Sequence, residues 1–298
     1  MSKLGDKIIK AISNKGKNLE GEMSFFDHLE TLRWHLIRSA LAIVVFAIFA
    51  FTYYTEIFDG IVMAPTKKTF FTYRMMCDFG HWIHGLISAI DAEGFCVKND
   101  IKVNLLNTEV AGQFTLQINS AIVIGITLGI PYILWELWKF IKPALHEKER
   151  RSASGFVFYS SMLFALGVCF GYYVVTPLAV KFLVGYTVSA AIVNMFSIDS
   201  YVSIVTTLTL ASGIAFQLPI LVGILANLGI LTPKFMRDKR RYAIVIILIL
   251  AAFITPTPDA LTMLVVAAPL LLLYEVSIRV AVVAEKRRNK RNADIMVS

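Results

Sequence analysis

The sequence predicts an all-α, polytopic membrane protein whose six transmembrane helices form a kinked bundle. Of its 298 residues, 57% are apolar and 17% are charged, and the mean hydropathy is +0.67. A soluble domain carries about 25% charged residues, because its surface needs polar side chains. The apolar residues also cluster into runs of about 20, the length that crosses a hydrocarbon core of about 30 Å. Composition therefore excludes a soluble globule and a disordered chain.

Six apolar segments are the predicted spans. At about 1.5 Å per residue, most of them are long enough to cross the hydrocarbon core, whereas the fifth in chain order covers only about 20 Å. We expect this short span to pair with the sixth through a turn at residues 255–259. Polar tails, residues 1–22 and 286–298, flank the single transmembrane domain. The predicted spans are residues 36–58, 114–134, 156–177, 202–228, 242–254 and 261–283.

The distribution of basic residues predicts the orientation. Of the 29 lysines and arginines, 23 lie in segments 1–38, 139–151 and 232–241 and in the tail from Arg279 onward. Basic residues near span ends stay on the cytoplasmic side, so both termini are predicted to be cytoplasmic. The same distribution accounts for the net charge of +8, and no nucleic-acid partner is expected.

Residues 24–36 predict an amphipathic helix that lies before the first span. Ser24 and Asp27 have the spacing of a capping box, and apolar side chains recur at helical spacing along one face. Two interpretations stay open. The segment is an interfacial anchor, or Glu30 projects from it into a cytoplasmic recognition surface.

The cytoplasmic connection at residues 140–151 is unusual because it places two carboxylates, Glu147 and Glu149, among basic residues. One interpretation is a solvated loop with local ion pairs, each worth less than about 1 kcal/mol. The other is a carboxylate cluster held for a cationic ligand. Spacing alone does not choose between them.

Polar and helix-breaking residues interrupt the later spans. Pro219 cannot donate a hydrogen bond to the carbonyl of Ala215, so the fourth span should kink there. A buried Gln217 costs several kcal/mol unless its amide finds partners, so it should face protein or water. In the sixth span, Glu275 lies toward the cytoplasm, and Arg279 one turn later is expected to neutralise it.

Small residues and cysteines supply two further expectations. The pairs Gly125/Gly129 and Gly167/Gly171 permit close helix contacts, although such spacing is common in apolar segments. In the external loop, Cys77 and Cys96 are expected to form a disulfide, because that compartment permits oxidation. Closing a loop of about twenty residues is worth about 3 kcal/mol in the entropic model. Two free thiols are the alternative.

A zinc site built from the external-loop histidines His81 and His84 with the two cysteines is disfavoured. Loop histidines of this kind are more often unliganded, so we expect neither a metal nor another cofactor.

Taken in order, several segments resemble the TatC family, the membrane receptor subunit of the twin-arginine protein translocase. The resemblance covers residues 23–283, nearly the whole chain. The segments that carry it are residues 28–33 (HLETLR), 140–151 (FIKPALHEKERR), 171–179 (GYYVVTPLA), 213–219 (GIAFQLP), 240–242 (RRY), 255–259 (TPTPD) and 273–275 (LYE).

The resemblance implies a curved bundle in the cytoplasmic membrane that binds twin-arginine signal peptides of folded cargo. It implies TatA-type and TatB-type single-span partners, contact with membrane lipids and self-association in a multi-subunit complex. Transport would be driven by the proton-motive force, without enzymatic activity. The implied signal-peptide-binding residues are Glu30, Arg33, Phe140, Glu147 and Glu149, and the implied intramembrane or partner contacts are Gln217, Pro219, Asp259 and Glu275.

The chain departs from the family pattern at two positions. The family usually has Glu where this chain has Thr31, and here the acid lies one position earlier, at Glu30. One residue turns a helical side chain by about 100°. The family also commonly has Glu where this chain has Gln217, and a neutral amide forms hydrogen bonds but carries no charge.

Two other classes of protein fit the sequence less well. A proton- or ion-coupled transporter of a small solute should show a substrate site near the membrane midplane and repeated halves, which the sequence does not display. A membrane-embedded enzyme needs a nucleophile or a metal-ligand set, and the sequence shows neither.

Overall fold

The computed structural model describes residues 25–86, 96–97, 100–101, 103–142, 155–189, 194–227, 229–255 and 260–297. Its helices are α1 (Phe25–Thr52), α2 (Tyr54–Ile57), α3 (Phe71–Leu86), α4 (Gly112–Ile141), α5 (Phe156–Phe170), α6 (Thr176–Gly185), α7 (Ile198–Ala215), α8 (Leu218–Asn227), α9 (Pro233–Asp238), α10 (Arg240–Ile254) and α11 (Ala260–Val297).

Five helical segments are long and apolar enough to cross a membrane, which confirms the prediction of an all-α polytopic fold. They are Leu29–Thr52, Gly112–Ile141, Val157–Gly185, Ile198–Ala226 and Thr262–Lys286. Helix α10 has 15 residues and therefore spans about 22 Å. This agrees with the expectation that the fifth predicted span is short.

The first long helix differs from its prediction. We expected a separate amphipathic helix before the first span, but α1 runs without a break through residues 25–52. No proline or glycine occurs within it, so nothing in the backbone interrupts the helix where the polar residues give way to apolar ones. Ser24, half of the predicted capping box, lies outside the described residues.

The segment after α1 contains structure that the sequence did not predict. A π-helical turn (Phe58–Val62) and a short 3₁₀ turn (Ala64–Thr66) lead into α3. Farther along, strand β1 (Leu105–Leu106) pairs in parallel with strand β2 (Phe196–Ser197). This two-residue ladder joins the segment before α4 to the segment before α7.

The third span is continuous but changes its winding. Helices α5 and α6 are joined by a π-helical turn, Gly171–Val175. Pro177 has no N–H to bond the carbonyl of Tyr173, four residues earlier. The hydroxyl of Thr72 in α3 donates to that carbonyl instead. Helix α3 therefore satisfies a backbone carbonyl that cannot bond to Pro177.

The fourth span breaks where the sequence predicts a kink. Helix α7 ends at Ala215, a turn contains Phe216 and Gln217, and α8 begins at Leu218. Pro219 is then the second residue of the new helix, where its missing N–H has no cost. The polar Gln217 is thereby placed at the point where the two helical halves meet.

Three of the four glycines in the predicted small-residue pairs lie at close helix contacts, and Gly129 does not. A Cβ added to Gly125 would lie 2.8 Å from the Ile43 carbonyl oxygen of α1. One added to Gly167 would lie 2.8 Å from the Ser212 carbonyl oxygen of α7, and one added to Gly171 would lie 2.9 Å from that of Leu208. Backbone atoms cannot move aside as a flexible side chain can, so these glycines permit the observed spacing.

The last helices form the remaining part of the bundle. Thr232 caps α9 by accepting a hydrogen bond from the Phe235 N–H. The main buried cluster joins α7, α10 and α11 through residues that include Leu208, Ile247 and Leu270. Helix α11 continues to Val297, so the predicted polar tail is helical. The turn at 256–259, with Asp259, lies outside the described residues.

Candidate functional site

A buried carboxylate lies where the end of α4 meets the first turns of α1. The side chain of Glu136 is only 1% exposed. Its Oε2 lies 2.5 Å from Nδ1 of His35 in α1, and its Oε1 accepts a hydrogen bond of 3.1 Å from Lys139 Nζ. A buried carboxylate without such partners is strongly destabilising. Both of its oxygens are therefore satisfied, and one of the two bonds joins α4 to α1.

Aromatic rings surround this cluster. The Nζ atom of Lys139 lies 3.3 Å from the ring centroid of Trp135, which is a cation–π geometry. The ring of Phe140 meets that of His35 edge to face, with centroids 6.1 Å apart and an interplanar angle of 67°. Phe140, predicted from the sequence to contact the signal peptide, therefore packs against His35, the partner of Glu136.

The structure describes three of the five predicted signal-peptide-binding residues. Glu30 and Arg33 are exposed on α1, and Phe140 is half-buried at the end of α4. Thr31 precedes His35 by one helical turn and shares its face of α1, whereas Glu30 is turned by about 100° from Thr31. Glu147 and Glu149 lie outside the described residues.

Sequence reasoning missed both His35 and Glu136. It considered Glu275 in the sixth span and not Glu136, although Glu136 also lies within a candidate span and is the more deeply buried of the two. The available signal was a lone carboxylate between Trp135 and Trp138, at the end of a long apolar run. Its histidine partner, 101 positions away, could not be read from spacing.

A second polar contact lies inside the bundle at the break in the fourth span. The Ser160 hydroxyl of α5 donates to Gln217 Oε1 at 2.6 Å, and Gln217 Nε2 donates to the Ser160 carbonyl at 3.1 Å. Ser160 is fully buried. Gln217 was predicted to face protein or water, and it faces protein. Its amide suits this position because it supplies both a donor and an acceptor.

The ion pair at Glu275 differs from the expected one. Its Oε2 lies 2.6 Å from an Arg240 guanidinium nitrogen, and both side chains are about half exposed. The expectation that Arg279 neutralises Glu275 is wrong, because the ion pair of Glu275 is formed with Arg240 at the start of α10. The contact is supported by the neighbouring Tyr274 hydroxyl, which donates to the Met236 carbonyl at 2.7 Å.

In the segment between α1 and α4, Cys77 of α3 and Cys96 are joined by a disulfide, with Cα atoms 4.4 Å apart. His81 Nε2 lies 3.8 Å from Cys96 Sγ. These three side chains form the candidate metal-ligand group found in the described part of the chain. Sulfurs that are bonded to each other offer no thiolate to a metal, so the disulfide and a zinc site exclude one another.

Helix α3, which carries Cys77, is anchored at its start by Tyr73. The Tyr73 hydroxyl lies 2.8 Å from the Pro65 carbonyl oxygen and 3.0 Å from that of Pro177. Burial raises the pKa of this phenol far above its usual range, so it stays a neutral hydrogen-bonding group at any physiological pH.

The fold and its polar interhelical contacts define a multi-pass helical membrane protein. A family model described as "Sec-independent protein translocase protein (TatC)" matches residues 27–269. The TatC protein of Blattabacterium sp. subsp. Periplaneta americana is 34% identical over 272 residues, which are 91% of this chain and all of that protein. The TatC protein of Deinococcus radiodurans is 38% identical over 253 residues, 85% of this chain and 83% of its own length.

Solved structures give the same result. A crystal structure of the twin-arginine translocase receptor TatC matches with a TM-score of 0.62 at 32% identity, and covers 86% of this chain and 99% of its own. A structure of the receptor in DDM matches with a TM-score of 0.63. The chain belongs to the TatC family of Sec-independent protein translocase subunits. It is therefore a multi-pass protein of the inner membrane and a component of a translocase complex.

Proposed function

We propose that this TatC protein binds twin-arginine signal peptides at its cytoplasmic face. In this proposal it spans the membrane six times, with both termini cytoplasmic. It acts with TatA-type and TatB-type single-span subunits, and it exports folded proteins under the proton-motive force. The family match over residues 27–269 supports this function and does not favour a small-solute transporter.

The observation that carries the proposal is the junction of α1 and α4. Phe140 lies at this junction, one residue before α4 ends, and the chain then enters the segment that contains Glu147 and Glu149. Glu30 is exposed on the adjoining part of α1. The junction therefore brings the start of α1 to the same end of the bundle as the connection that carries the loop carboxylates.

The chemistry of these residues suits arginine. A guanidinium group forms two parallel hydrogen bonds to one carboxylate, which the ammonium of lysine does not match. An aromatic ring beside the carboxylate adds a cation–π contact of about 0.5–2 kcal/mol. We assign the carboxylate role to Glu149, with Glu30 and Glu147 as helpers, and the aromatic role to Phe140. Arg33 lies on the same surface and contributes to the site's charge.

We propose that a further set of residues in the later spans contacts the partner subunits. Gln217 with Pro219 at the break in the fourth span, and Glu275 on α11, are the described members of this set. Asp259 is its member outside the described residues. Lipid contact and self-association complete the proposed set of interactions.

Photocrosslinking tests the proposed site. A photoreactive phenylalanine analogue is placed at Phe140, or at the highly exposed Phe253 of α10 as a matched aromatic control. Membranes are then incubated with a twin-arginine precursor or with its twin-lysine counterpart. We expect a crosslink at position 140 to the twin-arginine precursor alone, and none at position 253. Equal crosslinking of both precursors, or none at position 140 in export-competent membranes, would contradict the proposal.

A further inference from the structure

One buried residue beside the proposed binding surface has no role in the function described so far. We propose that Glu136 is a positioning residue of the signal-peptide site. It holds His35, and His35 holds Phe140 in the orientation that receives the arginine pair. This inference rests on the proposed function, because it concerns the same site.

Glu136 is placed to act through its neighbours rather than on the peptide. Its side chain is 1% exposed, and both carboxylate oxygens already have partners, His35 on one side and Lys139 on the other. An arriving arginine would have to displace one of them to reach the carboxylate. Phe140, in contrast, is half-buried and keeps part of its side chain accessible to a peptide.

His35 provides the connection. Its side chain is 15% exposed, and its Nδ1 is fixed by the Glu136 carboxylate. A histidine ring bonded at one nitrogen has a defined orientation, as in metal sites where a carboxylate orients the ring. The ring then presents its edge to Phe140. Breaking the bond to Glu136 frees the His35 ring to rotate and removes this edge-to-face contact with Phe140.

The position of Phe140 explains why it needs this support. It follows Glu136 by one turn on the same face of α4, and it is the second residue from the end of that helix. Helix ends fray, so an aromatic side chain there keeps one orientation only when tertiary contacts fix it. Lys139 has a separate contact with the Trp135 ring, so the His35 contact is the link from Glu136 to Phe140.

A double-mutant cycle distinguishes this role from a general structural one. Binding of a fluorescent twin-arginine signal peptide is measured for the full chain in nanodiscs, with Glu136→Gln, Phe140→Ala and the double variant. The buffer contains 0.5 M salt to screen the loss of negative charge. We expect Glu136→Gln to weaken binding about three- to tenfold, the size of one aromatic contact. In the Phe140→Ala background, the same substitution should have no further effect.

Two further variants make the result interpretable. Ser277→Ala removes a buried hydroxyl of α11, far along the chain from the junction, and it should bind peptide like the wild type. His35→Leu removes the residue that links Glu136 to Phe140, and Glu136 keeps its contact with Lys139. If Glu136→Gln does not fold, His35→Leu replaces it in the cycle.

Additive losses in the double variant, or wild-type affinity in Glu136→Gln and His35→Leu, would overturn the positioning role. Failure of the wild type to prefer twin arginine over twin lysine would instead overturn the proposed function, and the positioning role with it. The two failures are therefore distinguishable.

Discussion

The carboxylate of Glu136 lies 2.5 Å from Nδ1 of His35, although 101 positions separate the two residues in the chain. The contact fastens the end of α4 to the beginning of α1, at the place where Phe140 also packs. A carboxyl group is thus buried within a candidate membrane span and beside the proposed recognition surface.

Glu136 and Glu275 should differ sharply in their effect on stability. Removing the Glu136 side chain empties a site that is 1% exposed and takes the hydrogen-bond partner from His35, whose side chain is 15% exposed. Breaking a buried pair in this way costs about 3–5 kcal/mol. The Glu275–Arg240 pair is half exposed, and pairs of that kind are worth at most about 1 kcal/mol. Thermal unfolding in detergent of Glu136→Ala and Glu275→Ala tests this difference. Equal destabilisation would show that burial does not set the strength of these pairs.

Gln217→Leu should lower both stability and export. The leucine cannot accept from the Ser160 hydroxyl or donate to the Ser160 carbonyl, and each unsatisfied buried group costs about 1–3 kcal/mol. Gln217→Glu keeps the acceptor and should leave export largely intact. Gln117, whose amide bonds the Phe51 carbonyl in a more exposed position, supplies the matched control Gln117→Leu. Export by Gln217→Leu at the wild-type level would show that the amide is incidental.

Cys77 and Cys96 should be oxidised in the purified protein. Cys169 is a free, exposed cysteine and serves as the internal control for alkylation. Mass spectrometry without reductant should show one labelled cysteine, and three after reduction. Loss of the bridge should cost about 3 kcal/mol, because the bond constrains the unfolded chain. Three labelled cysteines before reduction would refute the disulfide.

Gly125→Ala should be more harmful than Gly129→Ala one turn away. A Cβ at position 125 would lie 2.8 Å from the Ile43 carbonyl oxygen and from the Ala47 nitrogen, whereas one at position 129 finds its nearest neighbour at an ordinary 3.6 Å. Forcing the helices apart costs about 1–3 kcal/mol, whereas alanine at an uncrowded helical position gains up to about 1 kcal/mol. The melting temperatures of the two variants should therefore move in opposite directions. A similar shift for both would mean that α1 and α4 are not tightly packed there.

Much of the fold was predictable because apolar runs of span length have few alternatives in a bilayer. The break before Pro219 was predictable because proline lacks an N–H. The short α10 was predictable from the length of its apolar run. The prediction of a separate interfacial helix before the first span was wrong. The amphipathic pattern ends at residue 36, but no proline or glycine ends the helix there, so α1 continues into the span. Helix α3 was missed because it lies in the long loop after the first span and is fixed by distant contacts, such as Tyr73 with Pro177.

The candidate site was predictable only in part. The role of Phe140 was predicted from the resemblance of the chain to the TatC family. The Glu136–His35 pair depends on how α1 and α4 pack together, and no local sequence pattern predicts that packing. Arg240 rather than Arg279 pairs with Glu275 for a similar reason. Helical spacing identifies neighbours on one helix, and the packing of α10 on α11 supplies a nearer cation.

The most direct test of the account is the affinity of the Glu149→Gln variant for a twin-arginine signal peptide. The substitution keeps the size of the side chain and removes its charge. A charged hydrogen bond is worth about 1.5–3 kcal/mol, so binding of a fluorescent peptide in nanodiscs should weaken about ten- to a hundredfold. The preference over a twin-lysine peptide should shrink with it, and Glu30→Gln should show a smaller loss. Wild-type affinity in Glu149→Gln, with arginine still preferred over lysine, would contradict the account and place recognition elsewhere on the protein.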